Sequence, residues 1–202
     1  MLLTREQQIM KMLVIGGSAG SLSVVMQILP YLNNEWDMSV VIIFHRKNDD
    51  GNLTDILAHR TGFEVKEAED KEKIRPRVIY LAPADYHLLI EKDGSFSLDY
   101  SEKVHYCRPS IDVTFESAAD VFGKSLVGLL LSGANADGVE GLKEIKKHGG
   151  LVAVQSPASA EVAYMPGAAL EALAVDYVLD ANDIEAGARS LTRLYEYGTC
   201  KA

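Results

Sequence analysis

With 202 residues, 48% of them hydrophobic and 24% charged, the chain is long enough for one α/β domain with a full core. A formal net charge of −9 argues against a general nucleic-acid binder, which needs a basic face, and no uninterrupted apolar run reaches the length of a membrane span. Met1 to Met12 has no apolar centre of the secretory kind, and Cys107 and Cys200 show no metal spacing, so a reduced, cytoplasmic setting is expected.

In chain order, Met12 to Gly17 reads as a buried strand, turned by glycines into a helix from Ser21 to about Leu29 that Pro30 stops. Met38 to Phe44 is a second buried strand, ending at His45. Asn52 to His59 reads as helix, Phe63 to Ala68 as a short strand and Val78 to Ala82 as an apolar strand stopped by Pro83. His87 to Ile90 and Ser95 to Tyr100 flank Lys92-Asp93-Gly94, a hairpin signal. Pro109 precedes a helix that Ser110 is placed to cap. Leu126 to Leu131 is a strand without a polar side chain, and a loop through Asp137-Gly138 feeds a helix closed by Gly149-Gly150. Leu151 to Val154 and Tyr177 to Leu179 read as strands, Val162 to Ala172 and Ile184 to Tyr197 as helices. Strands alternating with helices predict a doubly wound, mostly parallel Rossmann-like sheet flanked by helices, with a β-hairpin insert. Residues 1–11 are expected to be an N-terminal extension and 12–202 a single domain.

Ligands of such sheets bind outside the carboxyl ends of the strands. Ser18, His45 and Asp137 stand at or just beyond the ends of three apolar runs. Together they supply a hydroxyl nucleophile, an imidazole base and a carboxylate to orient it. Each alone has a plainer reading: a helix cap, a histidine bonded to a carbonyl, a turn residue. A dinucleotide loop is the rival, but Gly16-Gly17-Ser18-Ala19-Gly20-Ser21 misses the G-x-G-x-x-G spacing and the second strand ends in His45 rather than an acid. His105 and Cys107 lie two apart with no evident orienting partner, and the scattered histidines predict no metal and no cofactor. His59 and His148 are expected on exposed helix ends.

The segments Val14 to Gly20, Tyr80 to Pro83 with His87, Arg108 to Val113, Leu131 to Gly138 and Met165-Pro166 resemble, in the same order, stretches of one family. It is the catalytic domain of the chemotaxis receptor methylesterases, the CheB-type protein-glutamate methylesterases. The resemblance runs from about Met12 to the last helix. It implies a serine–histidine–aspartate triad at Ser18, His45 and Asp137, hydrolysis of glutamate methyl esters on receptor helices and, in many members, deamidation of glutamine. The chain departs from the pattern at Ala19-Gly20-Ser21, where Thr-Gly-Gly is usual, at Arg46, at Ala134-Asn135 and at Ser156-Pro157.

Methyl-accepting chemotaxis-type receptors or other methylated signalling proteins are the partners so implied. The backbone N–H groups of Ala19 and Ala134 are the expected oxyanion donors. Arg46, His87 and Arg108 are expected to contact substrate, with bonding to backbone carbonyls an equal alternative for His87 and Arg108. Relatives commonly carry a receiver domain; the residues before the first strand are too few for one, so a free-standing catalytic domain is expected. A catalytically weak binding module of the same fold is the alternative function, and the oligomeric state is left open.

Overall fold

The computed structural model describes residues 11–32, 37–46 and 52–187. β1 (Lys11–Gly17), α1 (Ser21–Ile28), β2 (Met38–Phe44), α2 (Leu53–Ala58), β3 (Glu64–Glu67) and β4 (Val78–Leu81) lead into the hairpin β5 (His87–Ile90) and β6 (Phe96–Asp99). α3 (Ile111–Phe122), β7 (Leu126–Leu130), α4 (Val139–Lys147), β8 (Leu151–Gln155), α5 (Tyr164–Ala172) and β9 (Tyr177–Leu179) follow. Seven strands pair in parallel in the order β3-β4-β2-β1-β7-β8-β9, and the hairpin forms its own antiparallel pair. The sequence-based architecture is therefore the observed one. Of the terminal helix expected from Ile184, all beyond residue 187 lies outside the described residues.

Every residue of β2 is buried, as a parallel strand covered on both faces requires. Alternation then divides the core. Met12, Val14, Val41 and Ile43 face α3, α4 and α5, whereas Leu13, Ile15, Val40 and Ile42 face α1 and α2. Each fully buried aliphatic side chain contributes roughly 1.5–3 kcal/mol, so this central strip is what holds the three layers together.

The register sets the height of the site. Gly17 pairs with Phe44 and Gly16 with Leu130, so β1, β2 and β7 end level with one another. Strand order reverses between β1 and β7, which opens a crevice at their carboxyl ends. Two glycines let helices approach it. A Cβ on Gly16 would lie 2.4 Å from Ile111 Cγ2, at the start of α3. Gly138, at φ 100°, adopts a left-handed conformation immediately before α4.

Candidate active site

The crevice is built around Asp137, which is fully buried. One carboxylate oxygen, Oδ1, accepts hydrogen bonds from Ser110 Oγ at 2.8 Å and from Asp112 N at 3.0 Å. The other, Oδ2, accepts from Ile111 N at 2.7 Å and lies 2.7 Å from His45 Nε2. The carboxylate thus caps the N-terminus of α3 from a different loop, taking backbone donors that a helix start leaves unpaired. Ser110 was expected to cap its own helix; its hydroxyl makes no cap bond and turns to Asp137 instead.

A second carboxylate adjoins the first. Asp112 Oδ1 accepts from Gly138 N and Gly141 N, each at 2.8 Å. Burial and the neighbouring Asp137 charge push its pKa up to about 7, outweighing those backbone bonds. Asp137, although burial opposes its charge, is held below the ordinary carboxylate range by His45 and by the N–H and O–H donors around it. The two buried carboxylates are therefore pushed in opposite directions, Asp137 toward its charged form and Asp112 toward its protonated one.

His45 leaves β2 with its backbone N–H on Gly17 O at 3.2 Å and its side chain largely covered. Burial works against a charged ring, but hydrogen bonds to Asp137 and then to Cys107 outweigh it and raise the pKa to about 9. The nitrogen that Asp137 leaves, Nδ1, is 3.5 Å from Cys107 Sγ, and Asn135 Nδ2 donates to the same sulfur at 3.2 Å. Here the sequence reading needs correction: Cys107 does have an imidazole partner. The residues lie 62 positions apart, a separation in which no local spacing rule can reveal the contact.

Ser18 steps off β1 onto the same rim, partly exposed. Its N–H donates to Ser132 O at 2.8 Å, and its carbonyl accepts from Ser21 N at 3.1 Å and Ser21 Oγ at 2.6 Å. Ser132 Oγ ties the turn to the β7 loop by donating to Ala19 O at 2.6 Å, while Ser132 N donates to Gln155 Oε1 at 2.9 Å. The backbone that would present the Ser18 hydroxyl is therefore fixed on both sides. Among the described residues, no hydrogen bond joins Ser18 Oγ to His45, and no acceptor takes the N–H of Ala19 or Ala134, both of which are exposed. α1 begins at Ser21, two residues beyond Ala19.

The three residues expected to contact substrate divide. Arg46 lines the cleft beside His45, with its guanidinium paired to Glu67. Arg108 lines it too, but its Nη1 donates to Tyr100 O at 3.2 Å and Ser101 O at 2.6 Å, with the guanidinium stacked 3.8 Å over the Tyr100 ring. His87 is 1% exposed; its Nδ1 accepts from Ser110 N at 3.2 Å and its Nε2 donates to Glu102 O at 3.0 Å. It supports the α3 start from beneath the rim. The carbonyl-bonded alternative holds for His87 and Arg108. His148, expected to be solvated, pairs with Asp120 at 3.2 Å, and His105 Nε2 lies 3.6 Å from Asp112 Oδ2.

The doubly wound α/β domain, with its carboxylate-clamped imidazole at the switch-point crevice, belongs to a class of hydrolases. The CheB methylesterase family model matches residues 13–187, and the chain belongs to that family. It is 47% identical over 173 residues to a Leptospira interrogans protein provisionally named protein-glutamate methylesterase/protein-glutamine glutaminase, covering 85% of this chain and 90% of that one. A Thermotoga maritima protein of the same full name is 33% identical over 181 residues, covering 86% of this chain and 52% of that protein. The chain thus spans about half of the Thermotoga relative and nine-tenths of the Leptospira one. The crystal structure of the Thermotoga maritima CheB methylesterase catalytic domain superimposes with a TM-score of 0.84 at 32% identity, covering 90% of this chain and 98% of that one.

Proposed function

We propose that the chain is a protein-glutamate methylesterase in which Ser18 is the nucleophile, His45 the base and Asp137 the orienting acid. The observation that carries this reading is the 2.7 Å His45–Asp137 bond on the rim where Ser18 leaves β1. In the neutral ring Asp137 holds Nε2 and leaves Nδ1 to accept a proton, so turnover should rise as pH climbs toward the raised His45 pKa of about 9. Ser18 Oγ attacks the ester carbonyl of a methylated glutamate as Nδ1 takes the hydroxyl proton. The N–H groups of Ala19 and Ala134 receive the developing oxyanion. Nδ1 returns the proton to the departing methanol, and water then repeats the attack to release glutamate and free Ser18. With ammonia as leaving group, the same cycle deamidates glutamine, in line with the double name of the relatives.

The partner is a methylated, acidic signalling helix of the chemotaxis-receptor type. A chain of net charge −9 must attract it locally, and Lys103 and Arg108 along the cleft beside His45 supply the positive charge, with Arg46 paired to Glu67 beside them. The test is methanol release from methylated receptor. The wild-type protein should release it and Ser18→Ala should not. An inert wild type, or a Ser18→Ala variant as active as wild type, overturns the assignment.

A further inference from the structure

Cys107 is a donor that the ester chemistry does not use. Its free thiol is half-buried, with Sγ 3.5 Å from His45 Nδ1 and under a 3.2 Å hydrogen bond from Asn135 Nδ2. A thiolate at about 2.3 Å and an imidazole nitrogen at about 2.0–2.1 Å on a tetrahedral zinc ion stand roughly 3.6 Å apart. The observed separation is that bite. On the far side of the ring, Asp137 Oδ2 accepts from Nε2 at 2.7 Å, the carboxylate–histidine contact that fixes a metal-binding imidazole. Ligand atoms of His45, Cys107 and Asp137 all lie within 4.8 Å of one another. Asp137, already accepting from Ser110, Ile111 and Asp112, is the buttress rather than a ligand. The remaining coordination positions open onto a cleft of about 310 Å³, where water completes the shell.

We propose that His45 Nδ1 and Cys107 Sγ bind a thiophilic divalent cation of the Zn²⁺ class, and that the bound ion switches off ester hydrolysis. The inhibitory half rests on the reading of His45 as the base given above. The ion takes the Nδ1 lone pair that would receive the Ser18 proton, so both the ring's Nδ1 proton and the thiol proton pass to solvent as the metal–nitrogen and metal–sulfur bonds form. Oxygen-seeking ions such as Mg²⁺ gain little from a sulfur and an imidazole, so the site discriminates by ligand softness.

Co²⁺ added to the Cys200→Ser protein, whose only thiol is Cys107, is the direct probe. A thiolate-to-cobalt charge-transfer band saturating at one ion per chain, and displaced by Zn²⁺, is expected. The band should vanish in the further variant Cys107→Ser, and equally after alkylation of the unmutated site with iodoacetamide, which needs no refolding. Half-inhibition of ester hydrolysis by Zn²⁺ should move to about 100-fold higher metal in Cys107→Ser. No band in the Cys200→Ser protein, or a band surviving loss or alkylation of Cys107, overturns the site. Unaltered Zn²⁺ sensitivity in Cys107→Ser overturns the inhibitory role. Because the band is read without substrate, a protein inert to esters that still shows it refutes the esterase reading alone, and an active esterase without it refutes only the metal site.

Discussion

On the Nε2 side of the His45 ring, Asp137 is wholly buried and its two oxygens answer Ser110, Ile111, Asp112 and the imidazole. On the Nδ1 side are a partly exposed thiol and an open cleft, and Ser18, whose hydroxyl makes no bond to the ring, stands partly exposed at the end of the neighbouring strand. One side is made as a core is made; the other is left for a ligand. The difference teaches that Asp137 serves the fold whatever its part in the proposed chemistry, whereas Ser18 makes no side-chain bond that the fold depends on. Substitutions on the two sides should therefore fail in different ways.

The largest separation should come from pairing Ser18→Ala with Asp137→Ala. Ser18→Ala should lower turnover by about three orders of magnitude or more, with thermal unfolding nearly unchanged. Asp137→Ala should lose activity and, in addition, about 3 kcal/mol or more of stability, because Ile111 N, Asp112 N and Ser110 Oγ are left without an acceptor. Turnover and urea midpoints on both variants read this directly. An Asp137→Ala protein as stable as wild type would erase the distinction.

A smaller effect sharpens the same contrast through pH. Asp112 has a folded pKa of about 7 against an ordinary value of 3.8. The folded state binds the extra proton between those values, so the unfolded state loses its proton first and stability falls as pH rises from about 4 through 7. The full excursion is on the order of 4 kcal/mol. Asp112→Asn keeps an acceptor for Gly138 N and Gly141 N but cannot ionise, so its stability relative to wild type should improve steadily from pH 4 to pH 8. Urea midpoints at the two ends measure that double difference; a flat difference would refute it.

The smallest effect belongs to the rim. Arg46→Ala should raise KM for a methylated receptor about threefold with little change in kcat, and the loss should shrink as salt screens the cleft. A fall confined to kcat would move Arg46 from docking to chemistry.

Much of this architecture is legible in the sequence because a parallel strand buried on both faces leaves a continuous apolar run. Leu13-Val14-Ile15, Val40-Val41-Ile42-Ile43 and Leu126 to Leu131 betray the sheet, and the first polar side chains after them mark its rim. Ser18 and His45 stand where that rule points, whereas Asp137 lies further along the loop after β7, beyond Ser132 and Asn135. Contacts made across long separations are not legible in this way. The capping of α3 by Asp137 joins residues 25 to 27 apart, and Cys107 meets His45 only after the hairpin and its following loop have folded back. His87 marks a different limit: its sequence position leaves rim contact and carbonyl bonding equal, and only the folded chain shows both ring nitrogens spent under the α3 start.

The anchoring of α3 by Asp137 also bears on how such a protein can decay over evolutionary time. With Ser18 as the nucleophile we propose, a lineage released from selection for hydrolysis can replace it at no cost to folding, but drift at Asp137 strips a helix of its anchor and is purged with the misfolded chains. Descendants that have forgotten the reaction should keep the aspartate long after the serine has gone, a relic of the acid preserved by architecture rather than by use.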